Sequence, residues 1–72
     1  MLKTDRIEII TYNGEYVELI ENCLATFGKV IKPEEEFDST TYCTELNEVQ
    51  ANFLAELVDY ENSDVEFIYP DK

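Results

Sequence analysis

The stretch from Thr11 to Val30, TYNGEYVELIENCLATFGKV, is compatible with two structures, and the choice between them determines the fold. An Asn-Gly pair between apolar-rich segments is a strong signal for a β-hairpin. The apolar residues that follow the pair recur instead at helical spacing, so they would form one continuous stripe on a helix. The members of this stripe are Tyr16, Val17, Ile20, Cys23, Leu24 and Phe27.

The flanking residues favour the helix over the hairpin. Asn13 can serve as the N-cap, and Gly28 follows the stripe where a C′ glycine commonly ends a helix. A hairpin would need alternation in EYVELI, whose apolar positions 16, 17, 19 and 20 do not alternate. We therefore predict a helix over residues 14–27 and keep the hairpin as the alternative.

Strands are predicted where β-branched and aromatic residues cluster, which is at residues 6–12, 29–32, 39–45 and 65–69. Residues 33–38, PEEEFD, are expected to form a loop, because proline interrupts regular structure and the carboxylates repel one another.

A second helix is predicted to begin at Asn47, where Gln50 completes a capping-box pattern. Asn62 or Ser63 is expected to end it. The apolar stripe expected along this helix consists of Leu46, Val49, Phe53, Leu54, Leu57 and Val58.

The resulting order β-α-β-β-α-β predicts a single α+β domain over residues 1–72 with the ferredoxin-like arrangement. This arrangement is a four-stranded antiparallel sheet with two helices on one face. A hairpin in place of the first helix would leave the sheet short of a covering layer. A core of this size rarely supplies more than ~3–5 kcal/mol, so self-association is a reasonable expectation.

Alternation along the strands assigns side chains to the two faces of the sheet. The side chains predicted to face the helices are Ile7, Ile9, Thr41, Cys43, Val65, Phe67 and Tyr69. The open face is then predicted to carry Glu8, Ile10, Tyr12, Tyr42, Glu66 and Ile68. An apolar and aromatic centre with an acidic rim is typical of an interface, either in a homodimer or with a foreign partner. The alternative is that these residues form no interface, because single exposed apolar residues are ordinary on protein surfaces.

Charge is distributed unevenly along the chain. Seventeen acidic residues face five basic ones, a net charge of −12. Residues 1–32 hold five acids and four bases, whereas residues 33–72 hold twelve acids and only Lys72 as a base. Direct nucleic-acid binding is excluded because it requires Lys and Arg, and anionic membranes should repel the chain. The expected partner is a basic protein surface, unless the acidity serves only solubility.

Like charges one helical turn apart destabilise a helix by a few tenths of a kcal/mol, a cost that mixed charges would avoid. The long acidic run without a compensating base therefore motivates a functional hypothesis. The predicted partner-binding surface consists of Glu34, Glu35, Glu36, Asp38, Glu45, Glu48, Glu56, Asp59, Glu61, Asp64 and Glu66.

The two cysteines, Cys23 and Cys43, form neither a disulfide framework nor a zinc-site pattern. We expect both thiols to be free and buried, in a reducing, cytoplasmic compartment. The N-terminus lacks the apolar region of a signal peptide, and no apolar run approaches the ~20 residues of a membrane span.

No catalytic, metal or cofactor motif is present, and the absence of histidine excludes imidazole chemistry. Acid–base catalysis by paired carboxylates would need a cleft and a raised pKa, which surface acids in so small a chain rarely have. The acids of EEEFD and of residues 59–64 lack the glycine and terminal glutamate of an EF-hand. We therefore predict no enzyme, no cofactor and no specific metal site. A divalent-cation-responsive protein is a minor alternative.

The functional hypothesis is a non-enzymatic acidic protein that mimics nucleic acid and blocks a basic nucleic-acid-binding protein, such as a nuclease or an immunity complex. Small size, strong acidity and the lack of catalytic motifs resemble, as a physical type, the small phage-encoded inhibitors that include anti-CRISPR proteins. That resemblance implies the cytoplasm of a host cell. The alternative is a small homo-oligomerising regulatory or structural module that associates through the open sheet face.

Overall fold

A computed structural model describes residues 4–12 and 14–70 of the chain. Its elements, in chain order, are β1 (Thr4–Tyr12), α1 (Val17–Thr26), β2 (Glu34–Glu35), β3 (Ser39–Asn47), α2 (Glu48–Leu57) and β4 (Val65–Ile68). The strands form one antiparallel sheet in the order β2-β3-β1-β4. The predicted α+β, ferredoxin-like arrangement is confirmed.

The stretch from Thr11 to Val30 contains a turn, which the hairpin interpretation requires, and then a helix, which the helix interpretation requires. The backbone N–H of Glu15 donates to the carbonyl of Tyr12 at 3.2 Å, and Gly14 has a φ of 72°, so the chain does turn here. The turn leads into a helix and not into a second strand. The predicted N-cap, Asn13, lies outside the described residues. The helix itself begins at Val17, later than predicted, after Tyr16 in a left-handed conformation without a side-chain cap.

The far end of α1 agrees with the prediction. Gly28 has a φ of 82°, which glycine adopts without the steric cost of a side chain. The N–H of Gly28 donates to the carbonyl of Ala25 at 3.0 Å, and that of Lys29 donates to Leu24 at 2.8 Å. These two bonds form a Schellman motif, which satisfies carbonyls that the helix end leaves free.

The predicted capping box of α2 is present. The Asn47 side chain accepts from the Gln50 backbone N–H at 2.8 Å, and the Gln50 side chain accepts from the Asn47 N–H at 3.1 Å. Because Asn47 is also the last residue of β3, strand and helix join without a loop. The cap therefore fixes the direction in which α2 leaves the sheet.

The core lies between the sheet and the two helices. Ile7, Ile9 and Val65 point into this core as predicted, and their side chains form the part of it that comes from β1 and β4. Among the described residues, the single buried polar side chain is that of Thr11, whose hydroxyl donates to the carbonyl of Glu15. The other buried members are Ile20, Cys23, Leu24, Tyr42, Leu46, Ala51, Leu54 and Val58.

The third strand reverses the predicted orientation of two neighbours. Tyr42 is fully buried against the helices, whereas Cys43 is exposed on the open side. The β1–β3 register pairs Tyr42 with Ile9, and directly paired residues share a face of the sheet. The prediction that placed Tyr42 outward, with Cys43 and Thr41 inward, was therefore wrong. The Tyr42 hydroxyl keeps a polar partner by donating to Glu21 Oε2 at 2.8 Å.

The second strand was also predicted at the wrong place. Residues 29–32 are not a strand, and β2 consists of Glu34 and Glu35 within the segment that was expected to be a loop. The pairing begins after Pro33, because a proline has no N–H to donate to the neighbouring strand. Glu34 and Glu35 pair with Thr41 and Thr40, and the Glu36 N–H donates to the Ser39 carbonyl at 2.8 Å to close the hairpin.

Helix α2 is shorter than predicted, and only part of its predicted apolar stripe, namely Leu46, Leu54 and Val58, is buried. It ends at Leu57, because Asp59 adopts a φ of 51° and its N–H donates to the carbonyl of Glu56. The small side chain of Ala51 packs inward together with Leu54 and Val58. Three members of the predicted stripe point outward instead, namely Val49, Phe53 and Leu57.

Candidate functional site

The open face of the sheet is the side that no helix covers. Its side chains come from alternate positions of β1, β3 and β4, and the cross-strand register sets them in rows. We define the open face as Arg6, Glu8, Ile10, Tyr12, Glu34, Thr41, Cys43, Glu45, Glu66 and Ile68. The structure places Glu8, Ile10, Tyr12 and Ile68 there as the alternation predicts, and it does not place Tyr42 there.

The centre of the open face is apolar. Ile68 is 39% exposed and pairs with Glu8, while Ile10 is half-buried and pairs with Glu66. Ile10 and Ile68 are thus diagonal neighbours on two adjacent strands, a distance at which long side chains still interact. The result is a small apolar centre with a carboxylate on each side.

Tyr12 links this centre to two carboxylates. Partial burial raises the pKa of its phenol above the ordinary value, and the negative charges of Glu66 and Asp38 raise the pKa further. The hydrogen bond between the phenol and Glu66 acts in the same direction. Tyr12 therefore stays protonated at neutral pH and remains a hydrogen-bond donor at the edge of the acidic rim.

Cys43 occupies the position on the open face that the sequence had assigned to Tyr42. Its thiol donates to Glu8 Oε1 at 3.8 Å. Partial desolvation of the thiol raises its pKa, the charges of Glu8 and Glu34 raise it further, and the charge of Arg6 lowers it. Since the reactive form of cysteine is the thiolate, this surface holds Cys43 as a weak nucleophile. The expectation that both cysteines are buried holds for Cys23 and is wrong for Cys43.

The acidic residues of the predicted binding surface are all exposed, but they do not share one face. Glu45 and Glu66 lie on the open face, and Glu34 lies close enough to the open-face thiol to raise its pKa. Glu48 and Glu56 lie on α2, on the other side of the sheet. The layers of the fold therefore divide the predicted partner-binding residues between the two sides of the sheet, and their binding role stays a prediction.

The remaining predicted acids lie at the ends and edges of these layers. Glu35 approaches Tyr42 and raises the pKa of that phenol, after burial and Glu21, which have larger effects. Glu36 and Asp38 belong to the β2–β3 turn. The connection from α2 to β4 carries Asp59, Glu61 and Asp64, and the Asp64 N–H donates to Glu15 Oε2 at 3.3 Å.

The open face can bind cationic groups. Glu8, Glu34, Glu45 and Glu66 offer carboxylate acceptors, and Arg6 is the only base on the strands of the described chain. Within residues 4–12 and 14–70, no three His, Cys, Asp or Glu side chains come together in a group that could hold a metal ion. Carboxylates form charge-assisted hydrogen bonds with Lys and Arg side chains.

Sequence reasoning missed two groups of surface residues. The first is Thr41 and Cys43 on the open face, which the register with Ile9 and Ile10 would have identified. The second is Val49, Phe53 and Leu57 on the outside of α2, for which the sequence carries no separate signal because their spacing is that of a core stripe.

No protein family, curated protein or solved structure matches the chain. None of the helices in the described part of the chain is both long and apolar enough to cross a membrane.

Proposed function

We propose that the chain is an acidic binding protein that docks on a basic protein and covers the surface which that protein uses to bind nucleic acid. The observation that supports this proposal is the open face, where Glu66 and Glu8 pair directly with Ile10 and Ile68. Glu34 and Glu45 lie farther out on β2 and β3, where Glu34 pairs with Thr41 and Glu45 with Arg6. Acidic groups attract the partner and steer its approach, while the apolar centre slows dissociation.

The pairing of the strands fixes the positions of these carboxylates. Neighbouring strands lie about 4.8 Å apart, and same-face residues two positions apart on a strand are separated by about 6.6 Å. An Arg side chain binds a carboxylate and a phosphate with the same bidentate geometry. Lys and Arg side chains that are arranged to contact a phosphate backbone can therefore pair with a rigid array of carboxylates.

A matched pair of charge variants tests this proposal. The open-face variant is Glu8→Gln/Glu34→Gln/Glu45→Gln/Glu66→Gln, and the control is Glu18→Gln/Glu48→Gln/Glu56→Gln/Glu61→Gln on the helix side. Both remove the same charge, so they differ only in where it is removed. Glu21 is left intact in both because it accepts the hydrogen bond from Tyr42.

The assay captures proteins on the immobilised chain from a lysate of the cells that encode it, and then adds duplex DNA. We expect the chain to capture nucleic-acid-binding proteins that added DNA releases. Their binding to the chain should fall steeply between about 50 and 200 mM salt. The open-face variant should bind them at least about tenfold more weakly than the control variant. Equal capture by the two variants, or captured proteins that DNA does not release, would contradict the proposal.

The exposure of Ile68 supports self-association as a second candidate function of the open face. Two copies would bring acidic rims together, so a dimer formed this way should be strengthened by added salt, whereas binding to a basic partner is weakened. Sedimentation velocity on the chain and on Ile68→Arg separates the two. A dimer that salt strengthens and Ile68→Arg abolishes would favour this candidate.

A further inference from the structure

We infer that the chain has a second docking site, a groove between its two helices that takes a short amphipathic helix with basic flanks. The groove has a volume of about 580 Å³ and is lined by Leu19, Cys23, Phe53 and Leu57, with Glu18, Asn22 and Thr26 at its polar margin. It lies on the helix layer, on the opposite side of the sheet from the open face. The inference therefore goes beyond the proposed function.

Two apolar side chains of α2 that line this groove are exposed, Phe53 by 52% and Leu57 by 42%. Val49 is 63% exposed and lies one step before them at the same spacing of four residues, so it extends their line along α2 beyond the groove. Phe53 is held in place by an edge-to-face contact with Phe27, whose ring centre is 6.2 Å away. An ordered aromatic side chain beside a groove is the kind of residue that dominates binding energy in interfaces.

The backbone of the groove walls determines what can bind there. Both walls are helices, whose N–H and C=O groups bond within each helix, so no free strand edge is available for a ligand. A ligand that enters an apolar groove must therefore satisfy its own backbone hydrogen bonds, and a helix does so. Each wall is a ten-residue helix about 15 Å long, which matches a ligand of about three helical turns.

The charge of the groove walls determines the flanks of the ligand. Glu18 borders the groove, the other acids of the two helices (Glu21, Glu48 and Glu56) lie outside its lining, and neither helix contains Lys or Arg. A second copy of the chain would bring the same unbalanced charge to the same place and would be repelled. Lys or Arg residues beside the apolar anchors of the ligand complement the walls, so a basic amphipathic helix fits and a second copy does not.

The probe for this site is a 14-residue peptide of leucine and lysine with its leucines at helical spacing, titrated into the full chain by fluorescence anisotropy. The control peptide has the same composition in strict Leu-Lys alternation, which cannot place its leucines on one helical face. We expect the helical peptide to bind at least about tenfold more tightly than the alternating peptide. Equal binding of the two peptides would overturn the inference.

The chain offers a matched pair of phenylalanines for the variant test. Phe53 lies beside the groove, whereas Phe37 is fully exposed in the β2–β3 turn. We expect Phe53→Ser to weaken peptide binding at least about tenfold and Phe37→Ser to change it less than about twofold. Equal effects of the two substitutions would overturn the inference.

Glu18→Lys provides a second test that does not depend on Phe53, since Glu18 is exposed and its replacement leaves the core intact. It should weaken the peptide several-fold, with a smaller effect at high salt. The open-face glutamine variant should retain peptide binding, and its loss there would overturn the inference while leaving the proposed function intact. A dimer of the chain that Phe53→Ser abolishes would also overturn it, because the groove would then hold a second copy.

Discussion

The interior of this molecule and its two outer surfaces consist of different types of residue. Between sheet and helices, the buried side chains of the described chain are apolar apart from Thr11. Outside, carboxylates surround an apolar centre on the open face and border an apolar groove on the helix layer. No described carboxylate is buried. The difference teaches that a chain this acidic can be compact because none of its described carboxylates has to be buried in the core.

The largest expected effect comes from two adjacent residues of β3 that face in opposite directions. Tyr42 fills the core, so Tyr42→Ala should cost about 3–5 kcal/mol, which is comparable with the whole stability of a chain this small. Cys43 is exposed, so Cys43→Ala should change the free energy of unfolding by less than about 0.5 kcal/mol. Urea unfolding followed by circular dichroism measures both. Similar costs for the two substitutions would contradict the assignment of the faces.

A smaller effect is expected from pH. Burial raises the pKa of Tyr42 well above its ordinary value of 10.0, and the hydrogen bond to Glu21 raises it further. A group whose pKa is higher in the folded state stabilises that state fully below its unfolded pKa, and the contribution is lost as pH rises beyond it. The free energy of unfolding should therefore fall above pH 10, by about 1 kcal/mol per pH unit from this residue.

Tyr42→Phe is the control for this pH dependence, because it keeps the ring in the core and removes the titrating hydroxyl. Its free energy of unfolding should fall less steeply than that of the unchanged chain between about pH 10 and 11. The cysteine thiols and Tyr12 titrate in both proteins and do not affect the comparison. Parallel pH profiles would show that Tyr42 does not ionise on unfolding as described.

The order of elements could be predicted from the sequence because each signal for it is local. The capping box at Asn47, the C′ glycine at position 28 and the apolar spacing of α1 depend only on neighbouring residues. The exact second strand could not be predicted, since a strand is defined by its partner. The Lys29–Lys32 segment has suitable residues, but pairing with Thr40 and Thr41 begins only after Pro33.

The faces of the elements were harder to predict for a geometrical reason. Alternation divides β3 into two sets of side chains, but only the register with Ile9 shows which set is buried. Apolar residues surround much of α2, and their spacing alone does not show that Leu54 is buried while Phe53 is exposed. The position of an acid in the sequence likewise does not show the layer in which it lies. The predicted partner-binding acids are therefore divided between the two sides of the sheet.

The smallest expected effect measures the electrostatic field of the open face with Cys43 as the reporter. Glu8 and Glu34 raise the pKa of this thiol, so its alkylation by iodoacetamide near pH 8 should be slower than that of an ordinary exposed cysteine. Glu8→Gln removes one of these charges and replaces the charged acceptor of the thiol hydrogen bond with a neutral amide oxygen, which lowers the thiol pKa. The rate of modification, followed by mass spectrometry, should then rise by about threefold.

Glu56→Gln is the matched control, because it removes the same charge from α2 on the far side of the sheet. If the field at Cys43 comes from its neighbours, this substitution should leave the alkylation rate nearly unchanged, since charges separated by more than about 10 Å are largely screened at ordinary salt. Equal acceleration by Glu8→Gln and Glu56→Gln would show that only the net charge of the chain matters. The open face would then not differ electrostatically from the helix layer, and its carboxylates would lose their claim to a specific binding role.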